Sequence, residues 1–107
     1  MYKYYNISMK FRIDFNKEKN LLLKETRGVG FDEAIIAIIN NGIVDEFEHK
    51  DKKRHPNQRI IAVKIKNYIY AVPYIKDEKR KVIFLKTIYP SRILSEKYLK
   101  KGERNEK

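Results

Sequence analysis

The sequence predicts one α+β domain: an antiparallel β-sheet meander in the order β-α-α-β-β-β-β-α, with the helices packed on one face. Three observations lead there. Residues 17–41 hold two stretches with helically spaced apolar residues and cap signals at their ends. Residues 43–88 alternate apolar and polar side chains between short turn sequences, which is how consecutive hairpins read. A chain of 107 residues without cysteine has room for one core and carries no disulfide framework and no thiolate zinc site.

The elements follow in order. Residues 1–8 are polar and aromatic without period and read as a flexible lead-in to a domain spanning 9–101. Residues 9–14 alternate as a half-buried strand. Asn16 caps a helix over 17–27 whose apolar stripe is Leu21, Leu22 and Leu23, and Gly28 ends it in the left-handed region. A second helix over 31–41 has Asp32 and Glu33 in its first turn, at the positive end of the dipole. Its Ala34, Ile35, Ile36, Ile38 and Ile39 make it apolar around most of its girth, and Asn41-Gly42 closes it. A strand over 43–49 places Glu46 and Glu48 on one face and His49 on the other. A charged loop over 50–57 leads to strands 58–66 and 68–75, joined by a tight turn at Lys66-Asn67. Pro73 removes a ladder donor, which predicts an edge position or a bulge. A turn at 77–80 precedes a strand over 82–88. Ser91 then caps a last helix to about residue 101, followed by a flexible tail over 102–107.

Charge narrows the function classes. The formal net charge is +11, and it is concentrated: residues 1–49 carry seven basic and eight acidic side chains, residues 50–107 eighteen and six. A Lys-rich composition inflates Lys and Glu together and does not explain that asymmetry. A field confined to one half of a small domain draws polyanions and speeds their encounter. RNA or an acidic protein partner therefore ranks above a membrane, because no basic amphipathic helix stands out. The longest apolar runs, 34–39 and 68–75, fall short of the ~20 residues of a membrane span. The start of the chain has no apolar run of the signal-peptide kind, and a cytoplasmic location is expected.

Four segments resemble a known family. They are Asn16-Lys17-Glu18-Lys19-Asn20, then Lys24-Glu25, the run Arg27-Gly28-Val29-Gly30-Phe31-Asp32-Glu33-Ala34, and Ile88-Tyr89-Pro90-Ser91-Arg92-Ile93 followed by Tyr98. In order and spacing they are similar to the signature of BrnT-type toxins. The resemblance spans about residues 9–101. It departs from the family pattern at Thr26-Arg27, where Lys-His is usual, and at Lys86-Thr87, where an Arg is common. It implies a RelE-like fold and the toxin role in a type II toxin–antitoxin system. Such a toxin is a metal-independent ribonuclease, without cofactor, that inhibits translation by cutting RNA on or off the ribosome. Its partner would be a cognate DNA-binding antitoxin.

Cutting RNA without a metal requires a base for the 2′-hydroxyl, an acid for the leaving 5′-oxygen, and cations for the dianionic transition state. Arg59, Lys86 and Arg92 are the candidates for the last task, Arg92 gaining from the helix N-terminus at Ser91. Glu48, if its pKa is raised, and His49 are the candidates for proton transfer. His55, before Pro56 in a charged loop, reads as a surface residue. Lys64, Lys66, Tyr70, Arg80, Tyr89 and Tyr98 are the RNA-binding candidates, and Tyr70, Tyr89 and Tyr98 could also share acid–base work. Asp45, Glu46, Glu48 and His49 lack a metal-ligand spacing, because their side chains divide between two faces. A non-catalytic module that binds RNA or an acidic partner is the alternative function. A DNA-binding regulator acting alone ranks last, since the chain has no helix-turn-helix pattern.

Overall fold

A computed structural model describes residues 11–105, with side chains to Leu99. The chain forms β1 (Arg12–Phe15), α1 (Lys17–Arg27), α2 (Phe31–Ile39), β2 (Ile43–Glu48), β3 (Gln58–Ile65), β4 (Tyr68–Asp77), β5 (Val82–Leu85), β6 (Tyr89–Pro90) and α3 (Arg92–Asn105). Among the described residues it is a mixed α+β fold with three helices and a six-stranded sheet. The expected lead-in over 1–8, the first residues of the expected opening strand and residues 106–107 of the expected tail lie outside the described residues, and α3 runs to Asn105, beyond its expected end near 101.

The sheet is not a simple meander. Its order is β1-β5-β4-β3-β2, with β6 pairing β4 beyond the end of β5. Strands β2 to β5 do follow one another antiparallel, but β1 lies parallel against β5, with Ile13 opposite Ile83. The two helices between β1 and β2 form a crossover long enough to carry the chain from one edge of the sheet to the other.

Local chemistry explains the element ends. The Asn16 side chain accepts from the Lys19 N–H at 2.8 Å, and Gly28 takes φ 75 with its N–H on the Lys24 carbonyl. The second helix stops at Ile39, two residues short of the expected end, because Asn41 turns into the left-handed region at φ 61. The Lys66-Asn67 turn has φ 51 and 64, both positive, which matches the right-handed twist of the flanking strands.

Helices cover both faces of the sheet, not one. Alternation sends Ile61, Val63 and Ile65 of β3, Val72 and Tyr74 of β4, and Ile83 and Leu85 of β5 to the α1–α2 side. There they pack with Leu23, Phe31, Ala34, Ile35 and Ile38. The opposite face presents Ala62 and Ala71, both buried, and their small side chains let α3 approach closely. This helix is anchored at β4, where the Ser95 hydroxyl accepts from the Ile69 N–H at 2.8 Å. It reaches across to β2, where the Tyr98 hydroxyl donates to Asp45. Ser91 caps it as expected, accepting from the Leu94 N–H.

Pro73 is neither on an edge strand nor at a bulge. It sits in β4 opposite Ile60, between two neighbouring strands. Its nitrogen faces the same side as its carbonyl, which accepts from the Lys86 N–H at 2.8 Å. That side lies opposite the break between β5 and β6, so the missing donor falls where the neighbouring ladder is itself interrupted. The same break divides the expected strand over 82–88 into β5 and the two-residue β6.

Candidate functional site

The most chemically concentrated part of the described structure is the end of the sheet where β2 stops, β3 starts and β4 stops. The register places Glu48 opposite Arg59 and Arg59 opposite Tyr74. Glu46, two residues before Glu48, shares its face. Four side chains therefore converge on the α1–α2 side of the sheet. The Tyr74 hydroxyl donates to Glu46, and the Arg59 Nε lies 3.5 Å from the same carboxylate. The Arg59 guanidinium also lies 3.9 Å from Glu48.

Environment tunes each group. Burial pushes the Tyr74 phenol well above its ordinary pKa, and the hydrogen bond to ionised Glu46 adds to the shift. Hydrogen bonding to Tyr74 is the first cause holding the Arg59 guanidinium in its charged form, with the Glu46 carboxylate supporting it. Glu48 goes the other way from what a general base needs. The Lys52 ammonium, 2.8 Å away, holds its carboxyl below the ordinary range. Glu46, fixed by the tyrosine and beside the arginine, is the carboxylate this arrangement positions.

Beside this cluster lies a cleft of about 550 Å³ lined by Glu48, Lys52, His55, Asn57, Arg59 and Lys76, among others. Its outer wall is the loop between β2 and β3, which is tightly internally bonded. The His49 N–H donates to the Gln58 carbonyl, the Gln58 N–H to His55, and the His55 N–H to Asp51. The His49 and His55 rings stack with centroids 4.1 Å apart and planes 24° apart. His49 Nδ1 accepts from the Asp51 N–H at 3.1 Å, which occupies that nitrogen as an acceptor. His55, read from sequence as a plain surface residue, lines the cleft, and His49 supports it.

The remaining sequence candidates are dispersed. Arg92 follows Ser91, whose N–H bonds the Ile69 carbonyl at 2.9 Å. Arg59 is level with Tyr74, five strand residues away, or ~17 Å along β4. Arg92 is highly exposed and faces Glu96 on its own helix. Lys86 lines a separate cleft of about 560 Å³ with Asn16, Lys19, Leu22 and Phe84, and its ammonium lies over the Phe84 ring. Arg59, Lys86 and Arg92 thus face three different places. Lys64, Lys66, Tyr70 and Tyr89 lie toward the β3–β4 turn, whereas Arg80 is in the β4–β5 turn at the other end. Tyr70 is half-buried against the core and edge-on to Tyr68. Tyr98 is engaged with Asp45, which lowers the aspartate pKa and raises that of the tyrosine. Among the described residues no grouping of three or more histidines and carboxylates is arranged to hold a metal.

Sequence reasoning missed Tyr74 and Lys76, and set Glu46 aside. Part of the signal was available. The two-residue turn at 66–67 pairs Ile65 with Tyr68, and counting six pairs back from it puts Arg59 opposite Tyr74. The partner of β2 could not be counted in this way, because the loop over 49–57 sets no register and β2 carries an irregularity between Ile43 and Asp45.

Comparison with protein families, curated proteins and solved structures gives no match to this chain.

Proposed function

We propose that this chain is the toxin of a type II toxin–antitoxin system, a metal-independent ribonuclease that stops translation and is silenced by a DNA-binding antitoxin. The observation that carries the reading is the convergence of Glu46, Arg59 and Tyr74 beside a cleft that also gathers Lys52, His55 and Lys76. Glu46 takes the 2′-hydroxyl proton. Arg59 offers its fork to the phosphate oxygens as charge develops on them, and Lys76 supplies a second positive charge. Tyr74 keeps its proton and orients Glu46. The leaving 5′-oxygen is protonated from the solvent that reaches this open cleft. The resemblance of residues 16–34 and 88–98 to BrnT-type toxins supports the same conclusion, as does the basic C-terminal half.

Inducing the chain alone in a bacterium, with growth and total RNA followed, tests the proposal. Growth arrest with new RNA fragments that persist in EDTA extracts is expected, and Arg59→Ala is expected to abolish both. Normal growth with intact RNA and soluble protein overturns it. One observation favours a second reading, a non-catalytic module that binds RNA or an acidic partner. Each cation of the cleft already faces a carboxylate: Lys52 with Glu48, Arg59 with Glu46 and Glu48, Lys76 with Glu78. Salt-sensitive RNA retention without cleavage would identify that case.

A further inference from the structure

Resting on the reading of the cleft as an RNA site, we infer that its outer wall is a nucleobase subsite. His55 is the stacking surface and Asn57 the group that reads the edge of the base. The cleft is wider than phosphate binding requires. At about 550 Å³ it has room for a nucleoside as well as the phosphate beside Arg59. Its lining is divided chemically. Arg59 and Lys76 come from the strands of the sheet, and His55, Pro56 and Asn57 come from the loop.

Three features make the loop side suited to a planar, weakly polar ligand. His55 lines the cleft and its ring stacks on that of His49, which restrains the plane of the His55 ring. A ring held this way gives up little conformational freedom when a base stacks on it. The backbone beneath is also fixed, since residues 49, 55 and 58 donate three hydrogen bonds within the loop. Finally, Asn57, at φ 65 directly after Pro56, also lines the cleft, and its side-chain amide carries both a donor and an acceptor.

The ligand class follows from this pairing of a stacking platform with a cation pair. It is a single-stranded RNA segment, whose bases are available for stacking, and not a duplex, whose bases are already stacked on one another.

The test is a binding titration at low salt with a 2′-O-methylated single strand, which lacks the hydroxyl needed for cleavage. The matching duplex and a mononucleotide are run beside it. Single-strand binding well above that of both competitors is expected. His55→Ala should weaken single-strand binding roughly 5- to 100-fold, and His55→Phe, which restores an aromatic face, should recover most of it. Asn57→Gly preserves the left-handed backbone and removes the amide, so it should flatten the preference among homopolymer strands with little change in mean affinity. Circular dichroism of each variant separates loss of the loop from loss of the subsite. Equal affinity for duplex and single strand, mononucleotide binding that folded His55→Ala leaves unchanged, or folded His55→Ala with unchanged single-strand binding overturns the inference. RNA cleavage in cells that persists undiminished in His55→Ala overturns the subsite alone. Absence of any RNA binding removes the functional proposal as well.

Discussion

The hydrogen bond between Tyr74 and Glu46 ties β4 to β2 across β3, and a double-mutant cycle measures the coupling of the two residues. Tyr74→Phe removes the hydroxyl and leaves Glu46 with Arg59 at 3.5 Å. Glu46→Ala removes the carboxylate and leaves the buried Tyr74 side chain in place. A hydrogen bond to an ionised group contributes about 1.5–3 kcal/mol. The Glu46 side chain is 32% exposed, so solvent takes part of that, and Arg59 remains as an alternative partner. A coupling of about 1–2 kcal/mol is therefore expected between the two changes in a double-mutant cycle. Urea unfolding of the parent, both single variants and the double variant measures it. The double variant should be little less stable than the worse single variant. At about 4–8 °C per kcal/mol for a domain near this size, thermal melts should show the same non-additivity as a gap of roughly 5–15 °C. The cycle cancels contacts that either side chain makes with residues the pair does not share, and the measured coupling includes the part carried through Arg59, which meets both. Effects that add to within about 0.3–0.5 kcal/mol would refute the claim that this pair organises the site.

Neighbouring residues of α2 should separate cleanly in chemical denaturation. Ile35→Ala, at a fully buried position, is expected to cost about 2–5 kcal/mol, whereas Ile36→Ala, 54% exposed, should stay within about 0.5 kcal/mol or so. Gly30→Ala places a methyl group 2.8 Å from Lys24 Cγ and against the Asn20 amide oxygen that accepts from the Phe31 N–H at 2.6 Å. A loss of about 2 kcal/mol or more is expected, read by the same assay, because either the α1–α2 contact opens or that buried bond breaks. The hydrogen bond from Lys24 holds the Asp32 carboxyl below its ordinary pKa, and that from Tyr98 does the same for Asp45. A carboxyl lowered in the folded state stabilises fully above the unfolded value of about 3.9, and that contribution is lost as pH falls through the lower folded value. Stability should accordingly drop as pH falls below about 4, with a shallower acid limb in Asp32→Asn and in Tyr98→Phe. Tyr74 has the opposite sign. Its raised pKa means stability is lost as pH climbs past about 10, the free phenol value, and Tyr74→Phe should be less sensitive there by circular dichroism.

What was legible in the sequence was what short-range chemistry determines. Asn16, Gly28 and Ser91 acted as caps where they were read as caps, because a cap depends only on a few neighbouring residues. The 66–67 turn fixed a register, and with it the Arg59–Tyr74 pairing. Pairings across long connections were not legible. Nothing local to β1 says that it lies parallel to β5, and nothing local to α3 says that it packs on the face of Ala62 and Ala71. The site suffered for the same reason. Glu46 and Lys76 belong to it only because β2, β3 and β4 end side by side, and Arg92 misses it because α3 starts at the other end of β4.

The charge asymmetry of the chain and the charge of the cleft have different consequences. The C-terminal half is strongly positive, yet Lys52, Arg59 and Lys76 are each matched by a carboxylate within 4 Å. Attraction of a polyanion from a distance must come from the many lysines elsewhere on that half, and salt screens it over about 10 Å at 0.1 M. Recognition in the cleft requires a phosphate to displace Glu46 or Glu48 from Arg59. That exchange substitutes one anion for another and responds little to salt. The two steps should therefore separate in stopped-flow binding of a non-cleavable single strand. Added salt should slow association steeply and leave dissociation nearly unchanged. Glu48→Gln, which removes one competitor for Arg59, should slow dissociation with little effect on association. A dissociation rate that rises with salt as steeply as association falls would mean that the bound state is held by the diffuse field alone, with no specific seat at Arg59.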